Sequence, residues 1–530
     1  MTSAQGAIDV IIIGGGVNGL VAAARLAQQK LSVVVIEQRP IPGGAAVTSE
    51  ITPGYLAPSL SHAIGPIDRE IVRAIGLDRA GLEWLTPNVP LTTLGEDGRA
   101  LSFHRDGVLT AAAINVYSPA DAGRWIECKR ALGRVAGLVA KLNQQAPPPL
   151  DDMGARDWWR LAAIGRHARS LGRQDLARIA RWMPMSVADL TGEWFETGSV
   201  RAALASHAIF GNPAGPRSAG TGAMLIGRIA ADEVAVGSGV TVRGGPGALA
   251  AALAQIAGGR GATLRTDARV VRVIAKDGRA TGVVLENGDE LSARAIVGAI
   301  GPTQVLTSLV DPADLPPTFL ARARNIRARG VTAKVNLALD TLPTFPALGG
   351  DVAPLAGRLL IAPDLDYLER AFDATKYGEI SERPWLEITV PSVADPTLAA
   401  DGGHVMSIAA HFAPRRLRSM TWKNGRDVLG SAVMAVLEAH APGVASQVLA
   451  QQVITPEDLE TIWGLPGGHI FHGESTLDQT WAARPMLGWS NYRTPIAGLY
   501  LASAGVHPGG GHTGLSGWLA AEAVQRDLKR

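Results

Sequence analysis

Residues 9–39, DVIIIGGGVNGLVAAARLAQQKLSVVVIEQR, constrain the possible fold more than any other stretch of the chain. The branched apolar run 10–13 predicts a buried parallel strand, the alanine-rich run 19–28 predicts a helix, and the run 32–36 predicts a second buried strand. A glycine turn joins the first strand to the helix, and the second strand ends on Glu37. This order of elements is typical of a βαβ dinucleotide-binding unit, so we expect a parallel sheet covered by helices.

The glycines of this turn follow the spacing G-x-G-x-x-G, and each has a mechanical reason. Gly14 permits the tight turn, Gly16 lets the backbone approach a pyrophosphate, and Gly19 lets the helix pack closely on the strand. The helix start offers free N–H groups and the positive end of the helix dipole to phosphates. Glu37 is placed to accept hydrogen bonds from ribose hydroxyls and to repel a 2′-phosphate. The pattern therefore predicts a dinucleotide that lacks this phosphate.

A second glycine-rich turn, at residues 244–247, does not repeat this pattern. Its glycines lack the required spacing, and the strand that follows its helix ends in Arg265-Thr266 instead of an acid. A tight structural turn explains it better than a second nucleotide site. The sequence therefore predicts one bound dinucleotide and no separate nicotinamide domain.

Composition narrows the class of protein. The 530 residues are 47% hydrophobic and 18% charged, with a net charge of +2, which is typical of a globular protein and gives no support for nucleic-acid binding. The single cysteine, Cys128, excludes an intramolecular disulfide and a dithiol redox pair. No run of about 18–20 apolar residues predicts a membrane span, and the leader MTSAQGA does not resemble a signal peptide. We expect a cytoplasmic protein that holds no metal ion.

The α/β pattern occurs three times along the chain. After the first unit it returns at 240–302, with hairpin turns predicted at Asp277-Gly278 and Asn287-Gly288, and again at 498–530. We therefore predict a discontinuous nucleotide domain made of residues 1–75, 235–310 and 480–530. Residues 76–234 and 311–479 would form a second domain inserted into it. The fold class is α/β, with a Rossmann-type domain and an inserted mixed α+β substrate domain.

Three blocks of sequence carry a resemblance to a known family. They are residues 9–55, from DVIIIGGG to TPGY, GGHIFHGESTLDQTWAARP at 467–485, and GLYLASAGVHPGGGHTGLSG at 498–517. The sequence resembles the phytoene-desaturase-like FAD oxidoreductases, within the wider group of amine-oxidase-like flavoproteins. Ala45-Ala46 stands where many relatives have an arginine after the glycine pair. This favours the branch of carotenoid ketolases and pyridine nucleotide-disulfide oxidoreductase domain-containing proteins.

The resemblance implies that the dinucleotide is FAD. Val271 would bind the adenine through its backbone, the loop Gly505 to Gly511 would line the far end of the flavin, and the helix from Thr513 would direct its positive end at the ring. The residues expected to bind FAD are Gly14, Gly16, Val17, Asn18, Gly19, Glu37, Gln38, Arg39, Gly43, Gly44, Ala45, Val271, Gly505, Gly511, His512 and Thr513.

Four residues are candidates for catalysis. His472 and Glu474 are two positions apart and would share a strand face, where a carboxylate can tune an imidazole for proton transfer. His507 lies beside the glycine loop, and His62 follows the glycine pair. Each has a purely structural alternative: a hydrogen-bond cluster for His472 and Glu474, and a histidine held by loop backbone for His62.

Residues 155–183 predict an amphipathic helical stretch. Trp158, Leu161 and Ile164 lie on one side of the helix, and arginines such as Arg166 and Arg169 lie on the other. Such a stretch suits a membrane surface, and it equally suits a helix packed on a protein core. Both interpretations stay open at this point.

The sequence thus predicts an FAD-dependent oxidoreductase that takes a hydride from a largely apolar, isoprenoid- or lipid-like substrate. An amine or other small-molecule oxidase on the same scaffold is the alternative enzyme. A flavin-binding protein with a structural or partner-binding role is the alternative outside enzymes. The oligomeric state, the electron acceptor and the substrate itself are left open.

Overall fold

A computed structural model of the chain describes residues 7–149 and 153–529. Its strands, numbered in chain order, are β1 (Ile8–Ile13), β2 (Val33–Ile36), β3 (Thr48–Thr52), β4 (Tyr55–Pro58), β5 (Trp84–Leu85), β6 (Leu91–Leu94), β7 (Ala100–Phe103), β8 (Thr241–Val242), β9 (Thr263–Arg265), β10 (Val270–Lys276), β11 (Arg279–Leu285), β12 (Glu290–Gly298), β13 (Thr332–Leu339), β14 (Arg358–Ile361), β15 (Trp385–Thr389), β16 (His404–His411), β17 (Val448–Ile454) and β18 (Leu499–Leu501).

Its α-helices, numbered in the same way, are α1 (Val17–Ala27), α2 (Arg69–Ile75), α3 (Gly107–Asn115), α4 (Pro119–Asn143), α5 (Ala155–Ser170), α6 (Gly172–Trp182), α7 (Val187–Gly192), α8 (Gly198–Ile209), α9 (Thr221–Asp232), α10 (Pro246–Gly259), α11 (Pro302–Gln304), α12 (Pro317–Arg324), α13 (Leu365–Lys376), α14 (Pro391–Ala394), α15 (Trp422–His440), α16 (Pro456–Thr461) and α17 (Leu515–Leu528).

The first of two large sheets is the one that the opening βαβ unit predicts. Its seven strands run in the order β10-β11-β12-β1-β2-β9, with β18 also paired to β12. Strands β12, β1, β2, β9 and β18 are parallel, while β10, β11 and the first part of β12 form the predicted antiparallel hairpins. The buried branched residues of β1 and β2 suit a sheet that helices cover on both faces.

Helices α1 and α17 cover this sheet and pack closely on each other. Gly19 in α1 lies so near the glycine turn that a Cβ there would be 2.1 Å from the carbonyl oxygen of Gly14. Gly517 in α17 is equally close to α1, since a Cβ there would be 1.9 Å from the carbonyl oxygen of Asn18. Glycine at these positions lets the helices approach the nucleotide-binding turn.

The second large sheet is mostly antiparallel, with seven strands in the order β17-β13-β16-β15-β14-β6-β7. Along β13 the apolar residues Ala333, Val335 and Leu337 face one core, in which α15 packs. The intervening Thr332, Lys334 and Asn336 are buried on the opposite face. One face of this sheet is therefore polar although water does not cover it.

The fold class predicted from the sequence is confirmed: a Rossmann-type α/β unit is combined with a mixed α+β unit. The strands of the first sheet lie at residues 8–36, 263–298 and 499–501, and those of the second at 91–103 and 332–454. The exact boundaries of the two predicted domains stay a prediction.

The amphipathic stretch is two helices and not one. Gly172 has a φ of 82°, a left-handed conformation; α5 ends at Ser170, and α6 begins at Gly172. In α5, no side chain that the structure describes is buried, and Trp158 and Trp159 are 58% and 70% exposed. In α6, by contrast, Trp182 is buried, and so is Asp175, which accepts hydrogen bonds from Arg134 and Arg178.

Candidate active site

A large cavity runs from the nucleotide-binding turn to the polar face of the second sheet. Its volume is about 1330 Å³, above the roughly 300–1,000 Å³ of a site for one drug-sized ligand. Gly14, Gly16 and Glu37 line one end, and Lys334 and Glu387 line the other. The cavity is therefore large enough for a dinucleotide and a second molecule.

The nucleotide end has a backbone cradle. The Gly16 turn forms a bridge with Gly43, and a Cβ on Gly44 would lie 3.0 Å from the Cα of Gly16. Within the described residues, no side-chain hydrogen bond caps α1 and no acid lies in its first turn. Its first N–H groups are therefore available for phosphate, while larger residues in place of the glycines would fill the cradle.

Glu37 is positioned by two backbone N–H groups. Its Oε2 accepts a hydrogen bond from Gly15 at 2.8 Å and its Oε1 accepts one from Arg39 at 3.0 Å. The residue is 5% exposed and lines the cavity. Because a carboxylate has about four lone-pair sites, it can still accept hydrogen bonds from two ribose hydroxyls. This arrangement fits an adenine dinucleotide.

Most of the residues expected to bind the cofactor do line the cavity. They are Gly14, Gly16, Val17, Asn18, Glu37, Gln38, Arg39, Gly43, Gly44, Ala45, Val271, Gly511, His512 and Thr513. Gly19 lies behind the wall, where it has the packing role described above. Gly505 does not line the cavity, although its neighbour Ala504 does, and a Cβ there would meet Pro302; its part in binding the cofactor stays a prediction.

The glycine loop before the last helix closes one side of the cavity. Gly509, Gly510 and Gly511 line it with positive φ values of 98°, 25° and 72°. His512 lies within 2.8 Å of the Ser61 hydroxyl through its Nε2, which ties this loop to the segment after the glycine pair. Helix α17 begins at Leu515, two residues later than the sequence suggested, and Leu515 also lines the cavity.

At the other end, His62 bridges two charged residues of the second sheet. The register places Lys334 and Glu387 on either side of Ala409, in three adjacent strands. Since Ala409 is small, the His62 ring has room between them: its Nε2 is 2.8 Å from Glu387 Oε1 and its Nδ1 is 2.9 Å from Lys334 Nζ. The loop-backbone alternative for His62 is wrong, because two side chains hold it.

The charges of this cluster are fixed by burial and by Arg358. Arg358 donates a hydrogen bond to Glu387 at 2.8 Å. Burial raises the pKa of Glu387, but Arg358 and His62 outweigh it and hold that pKa below its ordinary value. Burial, with Lys334, lowers the pKa of His62 to about 4. Glu387 is then ionised and accepts only, so His62 donates through Nε2 and accepts from Lys334 through Nδ1.

Lys334 is the residue of this cluster that titrates near neutrality. Burial lowers its pKa to about 7. The amine donates to His62 and, at 2.7 Å, to the hydroxyl of Ser407, which in turn donates to Asn336. A neutral amine has two N–H bonds, both used here, and one lone pair that remains free to accept a proton. Sequence reasoning missed Lys334 and Glu387.

Of the other three predicted catalytic residues, His472 lines the cavity, whereas Glu474 and His507 do not. His472 lines the cavity in a loop and not in a strand; it has a φ of 57°, and burial, with Arg484, lowers its pKa to about 4. Glu474 lies behind the wall, paired with Arg327 and Arg329. The shared strand face predicted for His472 and Glu474 is therefore wrong.

His507 also lies behind the cavity wall, so its predicted place beside the substrate is wrong. It is fully buried, and burial lowers its pKa to about 4 although backbone carbonyls at the end of α4 partly offset this. Its own carbonyl accepts hydrogen bonds from the hydroxyls of Tyr492 and Ser516. These contacts point to a structural role in the loop.

Within residues 7–149 and 153–529, no group of three or more His, Cys, Asp or Glu residues is arranged to hold a metal ion. None of the helices within these ranges is both long enough and apolar enough to cross a membrane.

Comparison with known proteins identifies the class. Residues 195–525 match the family described as flavin containing amine oxidoreductase, and residues 12–74 match the NAD(P)-binding Rossmann-like domain. The first match covers more than half of the chain, which therefore belongs to the flavin-containing amine oxidoreductase family. Its cofactor is FAD, which suits the glycine cradle and Glu37, and the protein is an FAD-dependent oxidoreductase.

Individual relatives place the chain more narrowly. It is 33% identical to pyridine nucleotide-disulfide oxidoreductase domain-containing protein 2 of Rattus norvegicus, over 98% of this chain and 94% of that protein. It is 26% identical to a neurosporene-forming phytoene desaturase of Cereibacter sphaeroides, with the same two coverages. A solved cyclohexylamine oxidase from Brevibacterium oxydans shares the fold, with a TM-score of 0.60 at 18% identity over 99% of this chain and 100% of that one. The resemblance to the phytoene-desaturase-like branch is thus confirmed.

Proposed function

We propose that this protein dehydrogenates a largely apolar substrate held between the two large sheets. The observation that carries the proposal is the continuity of the cavity, which joins the nucleotide cradle to a chamber with Phe210, Phe471 and Met224 in its wall. Bound FAD supplies a two-electron acceptor that takes a hydride from a substrate carbon. The residues of the chamber hold the substrate, keep bulk water away from it and receive the proton.

Lys334 is the proposed proton acceptor. It lines the chamber, and its neutral form keeps a lone pair after it has donated to His62 and Ser407. A base is most effective when its pKa lies near the working pH, and the pKa of about 7 meets that condition. His62, which is itself held by Glu387, orients the amine. The substrate C–H bond then breaks with its electron pair leaving as hydride, while the proton released elsewhere on the substrate goes to Lys334.

The charges of the chamber argue against a protonated amine as the substrate. Arg228 and Arg358 contribute positive charge, to which Lys334 adds when it is protonated, whereas Glu387 is already engaged by Arg358 and His62. Burial raises the pKa of Asp232, which also lines the cavity. A cationic substrate would therefore enter a positive chamber.

The test is anaerobic mixing of the purified yellow protein with a panel of alkenes, alcohols, acids and amines that share one apolar body. Bleaching of the flavin absorbance by a non-amine member supports the proposal. Bleaching by amines alone would establish the alternative oxidase. If no member of a broad apolar panel bleaches the flavin, the role as a flavin-binding protein gains support instead.

We also propose that α5 and α6 contact a membrane surface and help an apolar substrate to enter. Trp158 and Trp159 are exposed on α5, and Arg166 and Arg169 are exposed on the same helix. Met183, directly after α6, lines the cavity. A basic helix with exposed tryptophans suits the headgroup region of an anionic bilayer, and its position beside the cavity suits delivery of a substrate.

A further inference from the structure

Arg228 is a half-buried cation in the cavity wall, and no acid of the described residues forms an ion pair with it. It lies on α9, where Met224, Gly227, Arg228 and Ala231 follow helical spacing and all line the cavity. Among the described residues, no hydrogen bond or ion pair engages its guanidinium, and its Nε is buried without a partner. Two aromatic rings lie beside it: the guanidinium carbon is 5.2 Å from the centre of the Phe210 ring and 5.5 Å from that of Phe471.

Two acids interact with Arg228 through space, but neither forms a hydrogen bond or ion pair with it among the described residues. Asp232 is one helical turn away, and its Oδ2 accepts a hydrogen bond from the Ser238 N–H at 2.8 Å. Glu387 is held at 2.8 Å by both Arg358 and His62. A guanidinium that faces a cavity without a hydrogen-bonded partner is costly, so proteins keep one mainly where a ligand completes the site.

We infer that Arg228 binds the carboxylate of an acidic substrate whose apolar body packs against Phe210 and Phe471. The inference rests on the proposed function and narrows its substrate class to amphipathic acids. A guanidinium matches a carboxylate with two parallel N–H···O bonds. The single unpaired charge suits a monoanion, and the flanking rings suit a planar group joined to an apolar chain.

The surroundings of Phe210 place this carboxylate near the proposed base. The His62 and Phe210 rings are 6.2 Å apart, centre to centre, and His62 is bonded to Lys334. Arg228 and His62 thus both adjoin Phe210. An acid held by Arg228 would have its neighbouring carbons in the same chamber as the Lys334 amine.

The experiment uses three probes with one body: 3-phenylpropanoate, 3-phenylpropanamide and 3-phenylpropylamine. Their dissociation constants are measured by calorimetry on the oxidised FAD-loaded protein, where no turnover is needed. We expect the acid to bind about 10- to 100-fold more tightly than the amide, as charge-assisted hydrogen bonds allow, and the amine to bind most weakly. Arg228→Met and Arg228→Gln should abolish the preference for the acid while the amide still binds.

The control is Arg322→Met, which removes an exposed arginine from α12 and should leave all three constants unchanged. Flavin absorbance checks that each variant holds FAD; if Met at 228 prevents folding, Gln keeps the polar shape and serves alone. Equal binding of acid and amide, failure of the acid to bind, or a preference that survives in the Arg228 variants would overturn the inference. The proposed function is tested separately, by the anaerobic mixing experiment: if it fails, no member of the substrate panel bleaches the flavin.

Discussion

Ala409 shows how one small residue organises the substrate end of the cavity. A larger side chain there would occupy the space in which His62 reaches both Lys334 and Glu387. The sequence does show an alternating strand at 332–339, and in such a strand a lysine normally faces water. The polar face is buried here because the loop that carries His62 and the neighbouring helices cover it, and that contact joins residues more than 270 positions apart. No local pattern could have predicted it.

The nucleotide end of the cavity could be predicted from the sequence, because its residues are close together in the chain. Gly14, Gly16 and Glu37 lie within one βαβ unit, so their spacing determines their geometry and the sequence predicted their place in the cavity wall. His507 and Glu474, predicted from their neighbours in sequence alone, lie behind the wall. Whether a loop residue points into a cavity depends on packing between distant segments.

Glu37 provides the first prediction. Glu37→Ala removes two expected ribose hydrogen bonds, each worth about 1.5–3 kcal/mol when charge-assisted, so the protein should lose FAD. Flavin absorbance after dialysis measures this. Glu50→Ala, on the exposed side of β3, is the matched control and should stay yellow. A Glu37→Ala protein that retains full absorbance would contradict the assignment.

Lys334 should give the reaction a characteristic pH profile. Because the neutral amine is the base, the rate of anaerobic flavin bleaching should rise as pH increases through about 7. His62 and Glu387 keep one charge state over this range, since the pKa of His62 is about 4 and that of Glu387 is lower than usual. Lys334→Met should slow bleaching by about 10²–10⁴-fold and remove the inflection. Lys376→Met, at an exposed site, is the control and should change neither the rate of bleaching nor its pH profile. An unaltered pH profile in Lys334→Met would exclude Lys334 as the base.

At the scale of elements, we expect Gly→Ala substitutions in two helices to change the stability of the protein in opposite directions. In α1, Gly19→Ala would place a methyl group 2.1 Å from the Gly14 carbonyl oxygen, so the midpoint of thermal unfolding should fall and FAD should be lost. In α4, Gly133 is exposed and a methyl group there would point into open space. Gly133→Ala should therefore stabilise the protein by about 0.5–1 kcal/mol. Thermal unfolding of both variants is the measurement, and similar effects at both sites would refute the packing argument.

Helices α5 and α6 provide the prediction on membranes. The protein should sediment with anionic liposomes at low salt and be released at high salt, since each arginine near such a surface contributes about 1 kcal/mol. Changing Arg166, Arg169 and Arg173 together to Glu should abolish binding. The same charge change at Arg272, Arg322 and Arg370, which are exposed elsewhere, is the control. Equal loss in both triple variants would show that net charge, and not this surface, governs binding.

At the scale of the whole molecule, segments from both halves of the chain line the cavity that would hold FAD, so the bound cofactor should stabilise all of it. A ligand at 100 times its dissociation constant adds about 2.7 kcal/mol to the free energy of unfolding. The midpoint of thermal unfolding should rise with FAD concentration. Riboflavin lacks the pyrophosphate and adenosine that the glycine turn and Glu37 bind, so it should raise the midpoint much less. An equal effect of both compounds would indicate that the nucleotide end contributes little.

The position of α17 has a consequence for how the protein is made. Ribosomes add roughly 5–20 residues per second, and the chain folds as it emerges. The turn at Gly14 emerges long before the loop at Gly509–Gly511 and the helix that packs on α1. The wall of the cofactor cavity is therefore incomplete until that loop and helix have been made. We therefore expect FAD to be held fully only once that loop has been made, and until then β12 lacks its parallel neighbour β18.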